Sequence, residues 1–316
     1  MTAAVLSFLF APLMLIDGAS ASETPLPAGV PFGWTLEEAR RSWKSMTRAA
    51  QHVGVPGFQF QAGVLWDGGV VLGPLEWKDL GVLQQELFRL HDPQLHLSVA
   101  FADPPWFADR QGFGDPRVRR QLLGGRLPIP QVETRDGELV WQETVFAHLL
   151  GCDPDEEAPP RPDDRLVTHM LLRVRNEGYA RRTAHLWLHF GDTSSVHFGY
   201  KCGVAAAIPP ALPHRFEPPY GRTEDGVCYV MPSPRQGLVR AHERASVPAG
   251  ASGSYERPLE WEVEVRPGES AELRLVIPYG PVSAEIAAQL AVLDTAALLE
   301  RVAACWRGPA RAQSDS

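Results

Sequence analysis

Residues 259–281 read LEWEVEVRPGESAELRLVIPYGP and carry the clearest fold signal in the chain. Apolar side chains occupy every second position on both sides of a central Pro267-Gly268 turn: Trp261, Val263, Val265, Leu273, Leu275 and Ile277. A period of two predicts strands that bury one face. Because Pro-Gly favours a chain reversal, the stretch predicts two paired antiparallel strands.

Three more turn signals separate β-prone runs: Asp67-Gly68-Gly69, Asp136-Gly137 and Asn176-Glu177-Gly178. Asp-Gly and Asn-x-Gly supply the positive φ that tight reversals need, so each signal predicts a hairpin. Strand-forming segments run from about residue 58 to residue 278 without regular strand–helix alternation. This pattern excludes a doubly wound nucleotide-binding fold, and neither a G-x-G-x-x-G sequence nor a P-loop occurs. The predicted fold is all-β, a large antiparallel sandwich of two sheets.

Helical periodicity follows the last strand, from Ser283 to Trp306. Ser283 is placed to cap this helix, and Glu285 suits its first turn. Because it comes after a long β region, we expect a C-terminal helix that links to a further domain. Weaker helical patterns cover residues 35–52 and 80–90.

The patterns divide the chain into four parts. We expect a signal peptide at 1–21, an extended leader with a short helix at 22–55, a β-sandwich at 56–281, and a linker helix with a polar tail at 282–316. Within the sandwich, the Pro-rich residues 152–165 predict an acidic surface loop, and residues 205–223 predict a second irregular excursion.

The N-terminus favours export. Residues 5–16 form an apolar run too short to span a bilayer as a helix, and Ala19-Ser20-Ala21 follows as a cleavage pattern. Residues 1–4 carry no Lys or Arg, so a buried N-terminal strand or helix stays open as an alternative. We therefore expect a periplasmic or extracellular protein without a membrane span. The formal charge of −8 argues against a nucleic-acid partner.

Cysteine and histidine spacing predicts neither a metal nor a cofactor. Among the four cysteines, Cys202 and Cys228 are the more plausible disulfide pair, but four buried free thiols are the preferred interpretation. His185 and His189 lie four apart, which on a strand separates them by about 13 Å, too far for one ion. A pair of His189 with His197 stays open. The Asp153–Glu157 cluster resembles calcium ligands, but it lacks the glycine and distal glutamate of an EF-hand, so a solvated acidic loop is the preferred interpretation.

Nine tryptophans are available for sugar stacking, although we expect most of them in the core. Trp106 lies in a loop rich in Pro, Asp and Gly and is the strongest candidate for an exposed one. Trp187 and His189 are further candidates for carbohydrate contact. The simpler interpretation is that Thr183, His185, Trp187 and His189 form a polar strand face.

Three stretches carry a family resemblance: residues 129–151 (IPQVETRDGELVWQETVFAHLLG), 166–190 (LVTHMLLRVRNEGYARRTAHLWLHF) and 259–281. Their order resembles the N-terminal β-supersandwich, shaped like galactose mutarotase, of six-hairpin glycosidase-like proteins. The resemblance implies a non-catalytic β-domain of a glycoside-hydrolase-like protein. It would pack on an (α/α)6 domain and shape a carbohydrate site there. Because that domain supplies the family's catalytic carboxylates, the resemblance assigns no catalytic residue to this chain.

Two other functions stay open. A stand-alone aldose epimerase would need a histidine acid and a glutamate base, drawn from His169, His185, His189 and His197 with Glu133 or Glu143. An exported carbohydrate-binding or interaction module is the third hypothesis. The linker interpretation also predicts an exposed apolar patch at Ile286, Leu290 and Leu293.

Overall fold

The structure is a computed structural model. It describes residues 50–55, 58, 61–65, 68–72, 95–103, 105, 117–152, 160–161, 164–192, 211–245 and 255–307. The predicted signal peptide, the residues 35–49 of the predicted helix, residues 80–90, and most of the acidic loop lie outside these ranges. No helix among the described residues is long and apolar enough to cross a membrane.

Two antiparallel sheets build the fold, as predicted. The strands of the described residues are β1 Ala50–Val53, β2 Ala62–Leu65, β3 Val70–Leu72, β4 Leu95–Phe101, β5 Val118–Leu122, β6 Pro130–Asp136, β7 Leu139–Leu149, β8 Leu166–Asn176, β9 Arg182–Asp192, β10 Arg215–Glu217, β11 Tyr220–Thr223, β12 Gly226–Val230, β13 Leu238–Ala241, β14 Arg244–Ala245, β15 Tyr255–Glu256, β16 Leu259–Val265 and β17 Ser270–Pro278. Seven of them form a sheet with the order β1-β2-β3-β4-β9-β16-β13, eight form a sheet with the order β10-β11-β12-β17-β8-β7-β6-β5, and β14 pairs with β15.

The core lies between the two sheets. Trp141 of β7 contacts Phe101 of β4 at 5.0 Å between ring centroids and Trp261 of β16 at 6.2 Å. Since β7 belongs to one sheet and β4 and β16 to the other, these rings join the two layers of a β-sandwich.

Two of the four predicted hairpins are confirmed. The signal around Gly68 connects the paired strands β2 and β3, and Asp136-Gly137 connects β6 and β7. Gly137 has a φ of 58°, as such a reversal requires.

The other two turns are not hairpins. Asn176-Glu177-Gly178 leads from β8 in the eight-stranded sheet to β9 in the seven-stranded sheet, and Pro267-Gly268 leads from β16 back to β17. Asn176 joins these two crossovers through two hydrogen bonds. Its side-chain amide donates to Val265 O at 2.9 Å, and its backbone carbonyl accepts from Gly268 N at 2.9 Å. A strand with one apolar face fits either sheet of a sandwich, so alternation alone could not distinguish a hairpin from a crossover.

Several boundaries differ from expectation. Residues 50–53 form a strand where a helix was expected to end, and this strand pairs with β2. The predicted excursion at 205–223 contains β10 and β11. Cys228 is a free thiol that donates to Gly221 O at 3.3 Å, and Cys202, its expected disulfide partner, lies outside the described residues.

The predicted C-terminal helix is two helices, α1 Ala284–Val292 and α2 Thr295–Arg307. Ser283 caps α1 as expected, because its hydroxyl oxygen accepts a hydrogen bond from Ile286 N. Asp294 caps the start of α2, since its carboxylate accepts hydrogen bonds from the backbone N–H groups of Ala296 and Ala297 at 3.1 Å.

Both helices pack on the outer face of the eight-stranded sheet. Leu290 of α1 lies against Val230 and Val276, and Val302 of α2 lies in a cluster with Phe146. The expected exposed patch is therefore wrong. Leu290 is buried, and Ile286 and Leu293 are partly buried against the helices' own sheet.

Candidate functional site

Titratable side chains gather on the outer face of the seven-stranded sheet. His185, Trp187 and His189 of β9 share this face, while Leu186 and Leu188 point into the core, as predicted. On the adjacent strand β16, Glu260 and Glu262 lie opposite Trp187 and His185 in the register. The pairing of β9 with β16 thus brings imidazole and carboxylate groups together.

Two histidines bracket one carboxylate. His185 Nδ1 lies 2.8 Å from Glu260 Oε1, and His242 Nε2 lies 2.7 Å from Glu260 Oε2. Glu260 is 7% exposed, whereas His185 and His242 are 19% and 32% exposed. We call His185, Glu260 and His242 the outer-face triad. Because solvent reaches both imidazoles, the triad can exchange protons with a bound molecule.

Trp187 forms the wall beside the triad. Its ring lies 4.9 Å from that of His242, and its indole N–H donates to Ala102 O at 3.0 Å. Trp187 packs in a small buried cluster with Ala100, Ala245 and Tyr255. The β14–β15 hairpin supplies the last two, so this hairpin covers part of the face.

His189 lies deeper under the same hairpin. Its ring meets that of Tyr255 edge-on at 5.0 Å, and it is buried. Burial, with the nearby His96 and His214, lowers the pKa of His189 to about 3. Burial likewise lowers the pKa of His96 to about 4. Both imidazoles are therefore neutral at physiological pH.

Acidic groups extend the site toward the sheet edge. Glu262 receives a hydrogen bond from Arg240 at 2.8 Å, and Glu264 pairs with Arg181 at 3.0 Å. A groove of about 580 Å³ opens beside these carboxylates, and Gln236 and Leu238 also line it. Glu262 thus belongs to both the groove and the neighbourhood of the triad.

The same neighbourhood could hold a metal ion. Ligand atoms of His185, Glu260 and Glu262 all lie within 4.8 Å of one another. Imidazole nitrogen and carboxylate oxygen are ligands of divalent zinc and related ions.

A second histidine pair lies on the outer face of the other sheet. His169 Nε2 is 3.0 Å from His148 Nδ1, and the His169 ring stacks on Phe146 at 4.9 Å. Burial lowers the pKa of His148 to about 4 and, with the nearby His148, lowers that of His169 well below its usual value. Being buried under the helices' cluster, this pair is part of the packing rather than a site.

The sequence-predicted residues have different places. Trp106, His197 and residues 153–157 lie outside the described residues. Trp187 and His189 lie next to and below the triad, both buried, and their contact with carbohydrate stays a prediction. Glu143 is buried on a core-facing position of β7.

Sequence reasoning missed Glu260 and His242. In LEWEVEV only the buried positions Trp261, Val263 and Val265 were assigned a face, and Glu260 and Glu262 alternate with them. Their proximity to His185 depends on a strand pairing across 75 residues, which no local pattern reveals.

No protein-family profile matches the chain, and no curated protein is similar in sequence. Among solved structures, a human-microbiome protein described as a kojibiose phosphorylase is similar over 84% of this chain, with 10% identity and a TM-score of 0.39. This chain spans only 36% of the length of that protein.

Proposed function

We propose that this chain is the non-catalytic β-sandwich portion of an exported glycoside-hydrolase-like protein. It would pack on an (α/α)6 domain and shape a carbohydrate site there. The observation that carries the proposal is the two-sheet architecture. The three stretches that resemble six-hairpin glycosidase-like proteins form β6–β7, β8–β9 and β16–β17, which build both layers of one sandwich.

The outer face of the seven-stranded sheet is the surface that we assign to carbohydrate. Carboxylates such as Glu262 and Glu264 accept hydrogen bonds from sugar hydroxyls, and the groove beside them has room for a sugar ring. Trp187 would contribute an apolar wall if the β14–β15 hairpin shifts, and Trp106 stays a further candidate. The covered face of α1 counts against docking of a partner domain there.

A stand-alone acid–base enzyme of the aldose epimerase type is the second candidate. The outer-face triad favours it, because an imidazole held by a carboxylate can donate or remove a proton at a sugar hydroxyl. In this mechanism His185 exchanges the proton and Glu260 orients its ring. Glu260 would then orient the imidazole and would not act as the base for which Glu133 or Glu143 was suggested.

One experiment on the purified chain separates the two candidates. Glucose and glucose disaccharides are titrated by calorimetry, and the same preparations are assayed for mutarotation, hydrolysis and phosphorolysis. The non-catalytic function predicts binding that Glu262→Gln weakens, with no turnover. Turnover that His185→Gln abolishes would contradict it and support the epimerase. Glu272→Gln is the matched control, since Glu272 lies on β17 in the other sheet. If the chain shows no sugar binding and no turnover, the carbohydrate assignment of this face is contradicted.

A further inference from the structure

We propose that His185, Glu260 and Glu262 form a binding site for a divalent transition-metal ion, with zinc as the best-suited ion. This inference does not depend on the proposed carbohydrate function. It rests on the convergence of one imidazole and two carboxylates from two adjacent strands.

The donor atoms are already close to coordination geometry. They lie within 4.8 Å of one another, and a tetrahedral ion with bonds of about 2.1 Å needs ligand separations of about 3.4 Å. Side-chain movements of about an ångström therefore close the site. The backbone need not move, since His185 stands directly opposite Glu262 in an antiparallel ladder.

Burial gives the site one closed and one open side. The Glu260 side chain is 7% exposed and lies at the bottom of the site, while the Glu262 side chain is 36% exposed and lies at its rim. Three protein ligands and an accessible fourth position match the pattern of sites that keep a bound water. Two carboxylates with a neutral imidazole bring a charge of −2, which offsets that of the ion.

His242 is a positioning residue for this site. Its Nε2 holds Glu260 Oε2 at 2.7 Å and leaves Oε1 directed at His185. Outer contacts of this kind fix a ligand's orientation and strengthen metal affinity.

Arg240 is the internal competitor. Its guanidinium holds Glu262 at 2.8 Å, and the side chain is 47% exposed, so it can swing into solvent when an ion enters. Glu262 keeps a second oxygen for the ion, but the positive charge of Arg240 beside it opposes the binding of a cation. Removal of Arg240 should tighten metal binding, an effect that nonspecific adsorption to surface histidines would not show.

The test uses the full chain after treatment with a chelator that removes bound metal. Zn²⁺ affinity is measured by calorimetry, and Co²⁺ binding by its visible absorption. We expect one ion per chain, an affinity lowered by about 100-fold or more in His185→Ala and Glu260→Gln, and by about tenfold in His242→Gln. Arg240→Gln should bind more tightly than the unmodified chain.

Glu264→Gln is the matched control, because Glu264 lies on the same strand and face but pairs with Arg181. Its affinity should equal that of the unmodified chain. Circular dichroism checks that each variant is folded. Absence of binding, or equal loss in Glu264→Gln and Glu260→Gln, would overturn the proposal. An affinity unchanged in folded His185→Ala would also do so.

Discussion

Phe190 and Tyr229 stack face to face, with ring centroids 3.9 Å apart and planes 7° from parallel. Phe190 belongs to β9 of the seven-stranded sheet and Tyr229 to β12 of the eight-stranded sheet. Both rings are fully buried, so this contact joins the two layers of the sandwich. Burial also raises the pKa of Tyr229 well above its usual value, which keeps the phenol neutral.

Substitutions at Tyr229 separate the ring from the hydroxyl. Tyr229→Ala should lower the free energy of unfolding by about 3–5 kcal/mol, because it leaves a cavity between the sheets. Tyr229→Phe should leave it unchanged or raise it by about 1 kcal/mol, because the buried hydroxyl has no hydrogen-bond partner among the described residues. Urea unfolding measures both. Tyr179→Ala is the control, since that side chain is 99% exposed. A large loss in Tyr229→Phe would contradict this packing.

The start of α2 depends on Asp294. Asp294→Ala should destabilise the protein by about 1 kcal/mol, because it removes the acceptor for two backbone N–H groups. Asp294→Asn should retain most of that stability, since asparagine also caps helices well. Thermal unfolding of the two variants tests the break at this residue. Equal stability of Asp294→Ala and the unmodified chain would favour one continuous helix.

The pH dependence of stability follows from the buried histidines. Burial lowers the pKa of His148 in the folded protein to about 4, whereas a histidine in the unfolded chain has a pKa near 6.5. Below about pH 6.5 the unfolded chain therefore binds more protons, and stability falls as the pH drops toward about 4. Each such histidine contributes at most about 1.4 kcal/mol per pH unit.

Urea unfolding between about pH 7 and pH 4.5 measures this slope. His148→Gln should make it shallower, because one titrating group is removed. A stability that stays constant across this range would show that these imidazoles are not buried as neutral groups.

Thiol reactivity should differ between Cys228 and Cys305. Burial raises the pKa of Cys228 to about 12, so its thiolate is scarce and shielded, while Cys305 is exposed on α2. Iodoacetamide labelling with peptide mapping should modify Cys305 in the native protein and Cys228 only after unfolding. Rapid native labelling of Cys228, or its recovery in a disulfide, would be the contrary result.

Much of the fold was predictable because alternation fixes which side of a strand is buried. Trp261 and Leu273 marked the core faces of β16 and β17 correctly. The sheet that each strand joins was not predictable, since both sheets bury apolar side chains in one shared core. The contacts of Asn176 that hold the crossovers involve Val265, 89 residues away.

The candidate site was predictable only in part. The polar face of β9 placed His185 correctly, but its partner Glu260 comes from another strand. His242 follows β13, which pairs with β16, and it reaches Glu260 across 18 residues. The burial of Leu290 against the eight-stranded sheet was not predicted either. An apolar helix face does not reveal whether its own sheet or another domain buries it.

The proposal that this sandwich serves a carbohydrate-active domain is tested most directly by sequencing the encoding locus beyond the codon for Ser316. We expect an adjoining coding sequence for alternating helices with inward-facing Glu or Asp residues, whose product co-purifies with this chain. An unrelated gene after a stop codon, with no such helical protein bound to the chain, would contradict the proposal.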